Sequence, residues 1–247
     1  MNYMKYYFEN YPYVFFAMLG LVVSILFALF FMFSRYQVNK YFDVIILSLF
    51  GMILCARLFG ILSRVLYFLI EYGEFKLIES IKQSGIVFFG GLIGYILCAK
   101  LLCKFKNRRF EEISDVIALI VPLFHFFGRL GCFYTGCCYG KASNLLFTMP
   151  CKVIGAETLE YRIPVQLYEA GFEMLLFIFL LVSYITKKYR QQELLYVYLL
   201  LYSIWRFIIE FFRDDTMRGV YFVLSFSQII SVLIFIYVAY KKEVIKK

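Results

Sequence analysis

No stretch of this 247-residue chain is polar for long enough to build a soluble core, no repeat or low-complexity segment interrupts it, and histidine occurs once, at His125. The first absence excludes an accompanying soluble domain. The chain also lacks the alternation of polar and apolar residues that marks a membrane β-barrel. Its apolar runs are continuous, so its spans are expected to be helical. Acidic residues are scarce, 17 against 26 Lys and Arg, for a formal charge of +9. That excess is not a nucleic-acid footprint, because the basic residues sit mostly in short loops, where they set membrane orientation.

What the chain has is apolar surface. It is 63% hydrophobic and its mean hydropathy is +0.77, whereas a soluble domain is about 45–50% apolar. The 22 Tyr and 30 Phe suit lipid-facing and interfacial positions. Seven apolar segments, at 11–33, 43–70, 85–103, 113–134, 166–186, 194–212 and 222–240, each approach the roughly 20 residues that a bilayer requires. The expectation is an all-α, polytopic protein with seven transmembrane helices, forming one integral-membrane domain over 1–247. The run at 11–33 exceeds a signal-peptide core and no small-residue cleavage site follows it, so it reads as the first span. The second segment is long and carries Arg57 and Arg64, which suits a tilted or interfacial outer end.

Seven spans put the termini on opposite sides, and basic loops favour the cytoplasm. With the N-terminus outside and the C-terminus cytoplasmic, the inner loops hold Arg35, Lys40, Lys100, Lys104, Lys106, Arg108, Arg109, Lys187, Lys188, Arg190, Lys241, Lys242, Lys246 and Lys247. The outer loops hold only Lys5, Lys76, Lys82, Lys141, Lys152, Arg162, Arg213 and Arg218. That orientation draws the polar features of five segments to the outer leaflet: 89–91, Arg129, 166–169, Arg206 and 227–228.

Arg129 and Arg206 lie within apolar segments, where a central arginine costs about 2.5–3.5 kcal/mol. Tyr202, Arg206, Glu210 and Arg213 follow a helical spacing and share one face, so Glu210 can pair with either arginine. Arg129 has no carboxylate within a helical turn; its partner comes from another helix or from a ligand. Two guanidinium groups at one depth form a fork suited to a phosphate. At the outer leaflet that phosphate is a lipid headgroup, and a ring of structural salt bridges is the alternative. Gly90, Gly91 and Gly94 permit close helix packing or a cavity wall for an acyl chain. Gly128, Gly131, Gly136 and Gly140 suggest a turn entering the outer loop and an N–H nest for an anion.

Cys55, Cys98 and Cys103 fall in apolar segments as small hydrophobes. Cys132, Cys137, Cys138 and Cys151 cluster around one loop. Their spacing matches no standard zinc pattern and no histidine joins them, so no metal is expected. A disulfide from Cys151 to Cys137 or Cys138 suits an oxidising outer face, but small thiols packed under the loop are the leading expectation. His125 stands four residues before Arg129. It is either a relocated base or a packing histidine bonded to a neighbouring helix, and the second is preferred.

The strings Phe-Phe-Gly-Gly-Leu-Ile-Gly (88–94), Phe-Gly-Arg-Leu-Gly-Cys-Phe (127–133), Tyr139-Gly140, Gln166-Leu-Tyr-Glu169 and Arg206-Phe-Ile-Ile-Glu-Phe-Phe-Arg213 resemble the prolipoprotein diacylglyceryl transferase family of bacteria. Ala56-Arg57-Leu58, the stretch 115–122 and 227–231 are similar to that family too. The resemblance implies seven membrane helices in the bacterial plasma membrane, with the active site facing the outer leaflet. It implies transfer of a diacylglyceryl group from phosphatidylglycerol to the lipobox cysteine thiol of a preprolipoprotein, with release of glycerol phosphate and no cofactor. Arg129, Arg206, Glu210 and Tyr202 would then be catalytic, and Arg57, Gly90, Gly91, Gly140, Gln166, Glu169 and Arg213 would bind substrate. The same donor with a glycan or small-molecule acceptor, or a phospholipid-binding protein without turnover, are the alternatives. The chain departs from the family pattern where Phe89 and Ile163 replace histidines, Cys132 an asparagine and Cys137 a glutamate. The phosphate site therefore looks kept, and the acceptor site altered.

Overall fold

The computed structural model describes residues 11–33, 38–143, 147–153, 157–214, 220–221 and 224–246. Of the basic residues used for orientation, Lys5, Arg35, Arg218 and Lys247 lie outside them. The described residues form eight helices: α1 (Pro12–Phe33), α2 (Val38–Tyr72), α3 (Leu77–Gln83), α4 (Phe88–Phe105), α5 (Glu111–Thr135), α6 (Val165–Ile185), α7 (Glu193–Ile209) and α8 (Phe226–Lys246). Two small antiparallel pairs accompany them, β1 (Met149–Cys151) with β2 (Glu160–Arg162) and β3 (Val220–Tyr221) with β4 (Leu224–Ser225). Six helices, α1, α2, α4, α5, α6 and α7 with its 3-10 extension, are long and apolar enough to cross a membrane. The seventh expected segment forms α8, whose apolar part, Phe226–Lys241, is shorter. This is a multi-pass membrane protein.

The chain divides into two compact units. The first combines Met1–Met32, Asp115–Tyr198 and Ile208–Asp215. Here α1 packs on α5 through glycines: a Cβ on Gly20 would stand 2.7 Å from Phe127 Cβ, and one on Gly131 would stand 3.2 Å from Phe16 Cβ. Both helices can therefore bring their backbones close, the arrangement that small residues allow in lipid. Helix α5 continues through Gly128 and Gly131, and the turn expected there comes later. At Gly136 the φ of +80° lets its N–H reach back to Cys132 O at 3.0 Å, a left-handed helix end that glycine adopts without strain.

The second unit comprises Phe33–Ser114, Leu199–Phe207 and Thr216–Lys247. Helices α2 and α4 cross where Gly51 meets Gly94, and a Cβ on Gly90 would lie 2.6 Å from Cys55 O and from Phe59 Cβ. Of the two readings of these glycines, close packing is the one their contacts carry. Helix α2 is 35 residues long, about 50 Å at 1.5 Å per residue, well beyond a hydrocarbon core of about 30 Å. Its early turns are tied to the loop after α4 and to the first turn of α5. Asp43 accepts from Lys106 at 2.5 Å and Arg108 at 2.6 Å, and Lys40 pairs with Glu112 at 2.8 Å. Its later turns hold the short α3, which the hydropathy pattern does not foreshadow. Arg57 donates to Ile81 O at 2.7 Å and to Ser84 O, carbonyls at the end of α3 that no helical N–H reaches.

Candidate active site

In the first unit, α5 and α6 face each other through a buried polar ladder. Helix α5 presents His125 and Arg129 one turn apart, and α6 presents Gln166, Glu169 and Glu173 along one stripe. Glu169 is the partner that Arg129 required from another helix: an Arg129 terminal nitrogen donates to Glu169 Oε1 at 2.9 Å. The same carboxylate pairs through Oε2 with Arg213 at 3.7 Å. Arg129 Nε donates to His125 Nε2 at 3.1 Å, and His125 Nδ1 meets Glu173 Oε1 at 2.8 Å. Arg129, Arg213, Glu169, Glu173 and His125 are all buried.

This bonding pattern fixes the histidine tautomer. A guanidinium nitrogen can only donate, so Nε2 is the acceptor and Nδ1 carries the hydrogen directed at Glu173. His125 is thus bonded to a neighbouring helix, as preferred from sequence, and its basic nitrogen is engaged by Arg129. Together these contacts hold the Arg129 guanidinium in one plane.

Gln166 and Gly140 organise the loop above the ladder. Gln166 Nε2 donates to Cys137 O at 2.7 Å, while its buried Oε1 meets no hydrogen-bond partner among the described residues. Gly140 donates to Ile163 O at 3.2 Å and bridges Arg213. A Cβ there would stand 2.7 Å from Val165 Cγ2 and 2.9 Å from Phe212 O, so the crossing requires glycine. Arg162 ties these strands together, bonding Gly140 O at 3.1 Å and Asp214 at 2.7 Å. All seven cysteines are thiols. Cys151 is buried and 3.9 Å from Arg162 O; burial pushes its thiol pKa up, which the Arg162 charge opposes.

The remaining expected residues lie in the second unit, apart from Glu210, which opens the 3-10 turn of the first. Arg206, buried on α7, points a terminal nitrogen at Ser227 Oγ at 3.5 Å. Ser227 opens α8, where Ser225 and Gln228 form a reciprocal capping box: Ser225 N donates to Gln228 Oε1 at 2.9 Å, and Gln228 N to Ser225 Oγ at 3.2 Å. The Tyr202 ring packs on Phe88 and Phe89, at centroid distances of 5.4 and 5.2 Å. Phe89, in the place of the family histidine, is fully buried. Arg57 holds α3, as described, and Gly90 and Gly91 face α2. Sequence reasoning missed Glu173. Its signal was a carboxylate one turn beyond Glu169, on the stripe that starts at Gln166.

The family model for prolipoprotein diacylglyceryl transferase matches residues 4–241. The chain belongs to the prolipoprotein diacylglyceryl transferase family. Its relatives include proteins named phosphatidylglycerol–prolipoprotein diacylglyceryl transferase. The one from Clostridium tetani is 37% identical over 149 residues, 60% of this chain and 59% of that protein. The one from Campylobacter hominis is 36% identical over 155 residues, 62% of this chain and 53% of that protein. A third, numbered 2 in Clostridium perfringens, is 32% identical over 209 residues, 81% of this chain and 77% of that protein. The chain thus spans under two thirds of the length of the first two of these transferases.

Proposed function

We propose that the chain transfers the diacylglyceryl group of phosphatidylglycerol to the lipobox cysteine thiol of a preprolipoprotein. The observation that carries the reading is Arg129: a guanidinium buried in an apolar helix and held in one orientation by Glu169 and His125, within a chain that matches the transferase family over 4–241. The acceptor sulfur attacks the glycerol carbon next to the phosphate oxygen. The carbon–sulfur bond forms as the carbon–oxygen bond breaks, the thiol proton is lost, and glycerol phosphate departs with the electron pair. Charge grows on the phosphate as it leaves, and a pre-oriented guanidinium stabilises it without reorganising. Arg213 shares the Arg129 carboxylate and is assigned to the same phosphate. Gln166 Oε1 is assigned to a headgroup hydroxyl, for which a buried amide oxygen is a natural acceptor. Arg206 is assigned as a second phosphate-binding arginine, with Glu210 orienting it and Tyr202 shaping the headgroup site.

The setting we assign is the bacterial plasma membrane, with seven spans, the N-terminus outside, the C-terminus cytoplasmic and the site at the outer leaflet. Positive charge in the inner loops supports that orientation. The test is complementation. In cells depleted of their own transferase, the protein restores lipidation of a reporter prolipoprotein, and Arg129→Ala or Arg206→Ala abolishes it. Purified protein that binds phosphatidylglycerol but releases no glycerol phosphate with any lipobox peptide would sink the assignment.

A further inference from the structure

Three thiols, one in the last turn of α5 and two in the turn that follows it, converge near Arg129. The sulfurs of Cys132, Cys137 and Cys138 all lie within 4.8 Å of one another, and Cys137 Sγ donates to Cys132 O at 3.7 Å. Cys132 is buried in the last turn of α5, and the other two are half-buried in the loop that follows. The spacing Cys-x4-Cys-Cys is no standard zinc pattern, yet the backbone overrides it. Gly136 at φ +80° turns the chain back, and Cys138 itself adopts φ +59°, a left-handed conformation that costs a β-carbon residue strain. A glycine would sit there without strain, so what the position gains from cysteine is its sulfur. The turn is closed by Cys137 N on Cys132 O at 3.1 Å and pinned from outside by Gln166 Nε2 on Cys137 O at 2.7 Å.

We propose that Cys132, Cys137 and Cys138 form a three-thiolate site for a zinc-class d10 cation, whose fourth position takes the acceptor thiol. Zinc–thiolate bonds of about 2.3 Å place tetrahedral sulfurs about 3.8 Å apart, so sulfurs already within 4.8 Å close on the ion by small rotations. Binding releases three thiol protons and leaves a singly anionic site. Arg129, one turn from Cys132 on the same helix, and Arg213 both act electrostatically on Cys138 and offset that charge. Three protein ligands with an open fourth position is the arrangement of zinc sites that act on a substrate. A thiol entering that position loses its proton outright and becomes the nucleophile. Once it is alkylated it is a neutral thioether, which binds the ion weakly and leaves. The use of the fourth position rests on the transferase reading; the metal site does not.

The experiment uses the full chain, reduced and purified in detergent, with Co²⁺ and Cd²⁺ as probes. One ion binds per chain with thiolate charge-transfer absorption, and Cys151→Ser leaves this unchanged. Cys132→Ser and Cys137→Ser each weaken binding at least tenfold. Cys138→Gly also loses the ion while folding at least as well as the parent, because glycine relieves the left-handed residue, so loss of binding there cannot be ascribed to misfolding. A lipobox cysteine peptide shifts the ligand-field spectrum of the Co²⁺ protein, and the same peptide with serine does not. Absence of a stoichiometric thiolate-bound ion, or binding that survives Cys138→Gly, overturns the site. An ion that binds but does not respond to the cysteine peptide overturns the fourth-position assignment. Failure to release glycerol phosphate with a metal-loaded protein that passes both spectral tests counts against the transferase reading alone.

Discussion

Glu169→Gln isolates what the central carboxylate does, because it keeps the side-chain shape and one acceptor oxygen while removing the charge between two guanidinium groups. Glu169 stands 2.9 Å from Arg129 and 3.7 Å from Arg213, with 1% of its side chain exposed. At an effective dielectric of about 20, unit charges at such separations attract by about 5 kcal/mol each. Relief of the carboxylate's own desolvation offsets much of that, and breaking a buried pair costs about 3–5 kcal/mol net. For a chain of this size each kcal/mol shifts the unfolding midpoint by about 2–4 °C, so the substitution lowers it by about 6–20 °C. The assay is thermal unfolding in detergent, with and without phosphatidylglycerol in the micelles. An anionic headgroup restores the missing negative charge, so the lipid stabilises the variant more than the parent, as linkage requires when the ligand binds the folded state. A midpoint within about 2 °C of the parent, less than one kcal/mol, would falsify the ion-pair account. A lipid response smaller than the parent's would refute Arg129 and Arg213 as the phosphate site.

Arg129→Lys keeps the charge but cannot bond His125 and Glu169 together, so glycerol phosphate release falls about 10²–10³-fold, the range for removing an oriented donor to a developing anion; a loss under tenfold would contradict an oriented role. His125→Gln can accept from Arg129 and donate to Glu173, so it keeps transfer within about tenfold with an unchanged pH profile, where loss of a general base costs about 10²–10⁴-fold. A vanished acidic limb in that profile would make His125 the base after all. Gly94→Ala drives a methyl to 2.8 Å from Cys55 Sγ and against Gly51 O, destabilising α2 against α4 by about 1–3 kcal/mol. Gly171→Ala in α6 meets nothing within 4 Å and gains about 0.5–1 kcal/mol of helix stability. The two alanine variants therefore move the unfolding midpoint in opposite directions, and a shared sign would refute the packing assignment.

The membrane segments were legible because a helix in lipid must be apolar over its whole length, and hydropathy reads that property directly. Six of the seven segments became helices long enough to span, within a few residues of their expected ends. The short α3 was not legible. Seven residues with Glu79 and Lys82 read as loop, and what stabilises them is Arg57 on their terminal carbonyls, a contact between segments about 25 residues apart in sequence. Arg129 shows the same boundary. Periodicity established that no carboxylate lay within its own helical turn, so the partner had to be elsewhere, but helical spacing carries no information about which turn of which neighbour faces it. The answer, Glu169 with Glu173 one turn on, follows from the register of α6 against α5.

On the proposed reading, the lone histidine bears on how the acceptor thiol becomes a nucleophile. The family pattern has a histidine before the glycine pair; here Phe89 occupies that place, buried and packed on Tyr202. His125 does not replace it, since its only lone pair faces the Arg129 Nε–H. A thiol with an ordinary pKa of about 8.5 ionises only partly at neutral pH, so a chain with Phe89 in that place and its one imidazole engaged by Arg129 gains from another means of holding thiolate. The substitutions that remove polar family residues from the loop supply one. Cys132 and Cys137 stand where the pattern has asparagine and glutamate, and with Cys138 they place three sulfurs within 4.8 Å. On the proposed reading, arginine orientation and thiol activation are separated: the ladder of α5 and α6 is assigned to the phosphate, and the turn after Gly136 to the sulfur. If that division holds, Cys138→Gly impairs transfer without weakening phosphatidylglycerol binding, whereas Arg129→Lys weakens lipid binding and leaves Co²⁺ binding intact. A variant of either kind that lost both functions together, while still folded, would show that one site does both jobs.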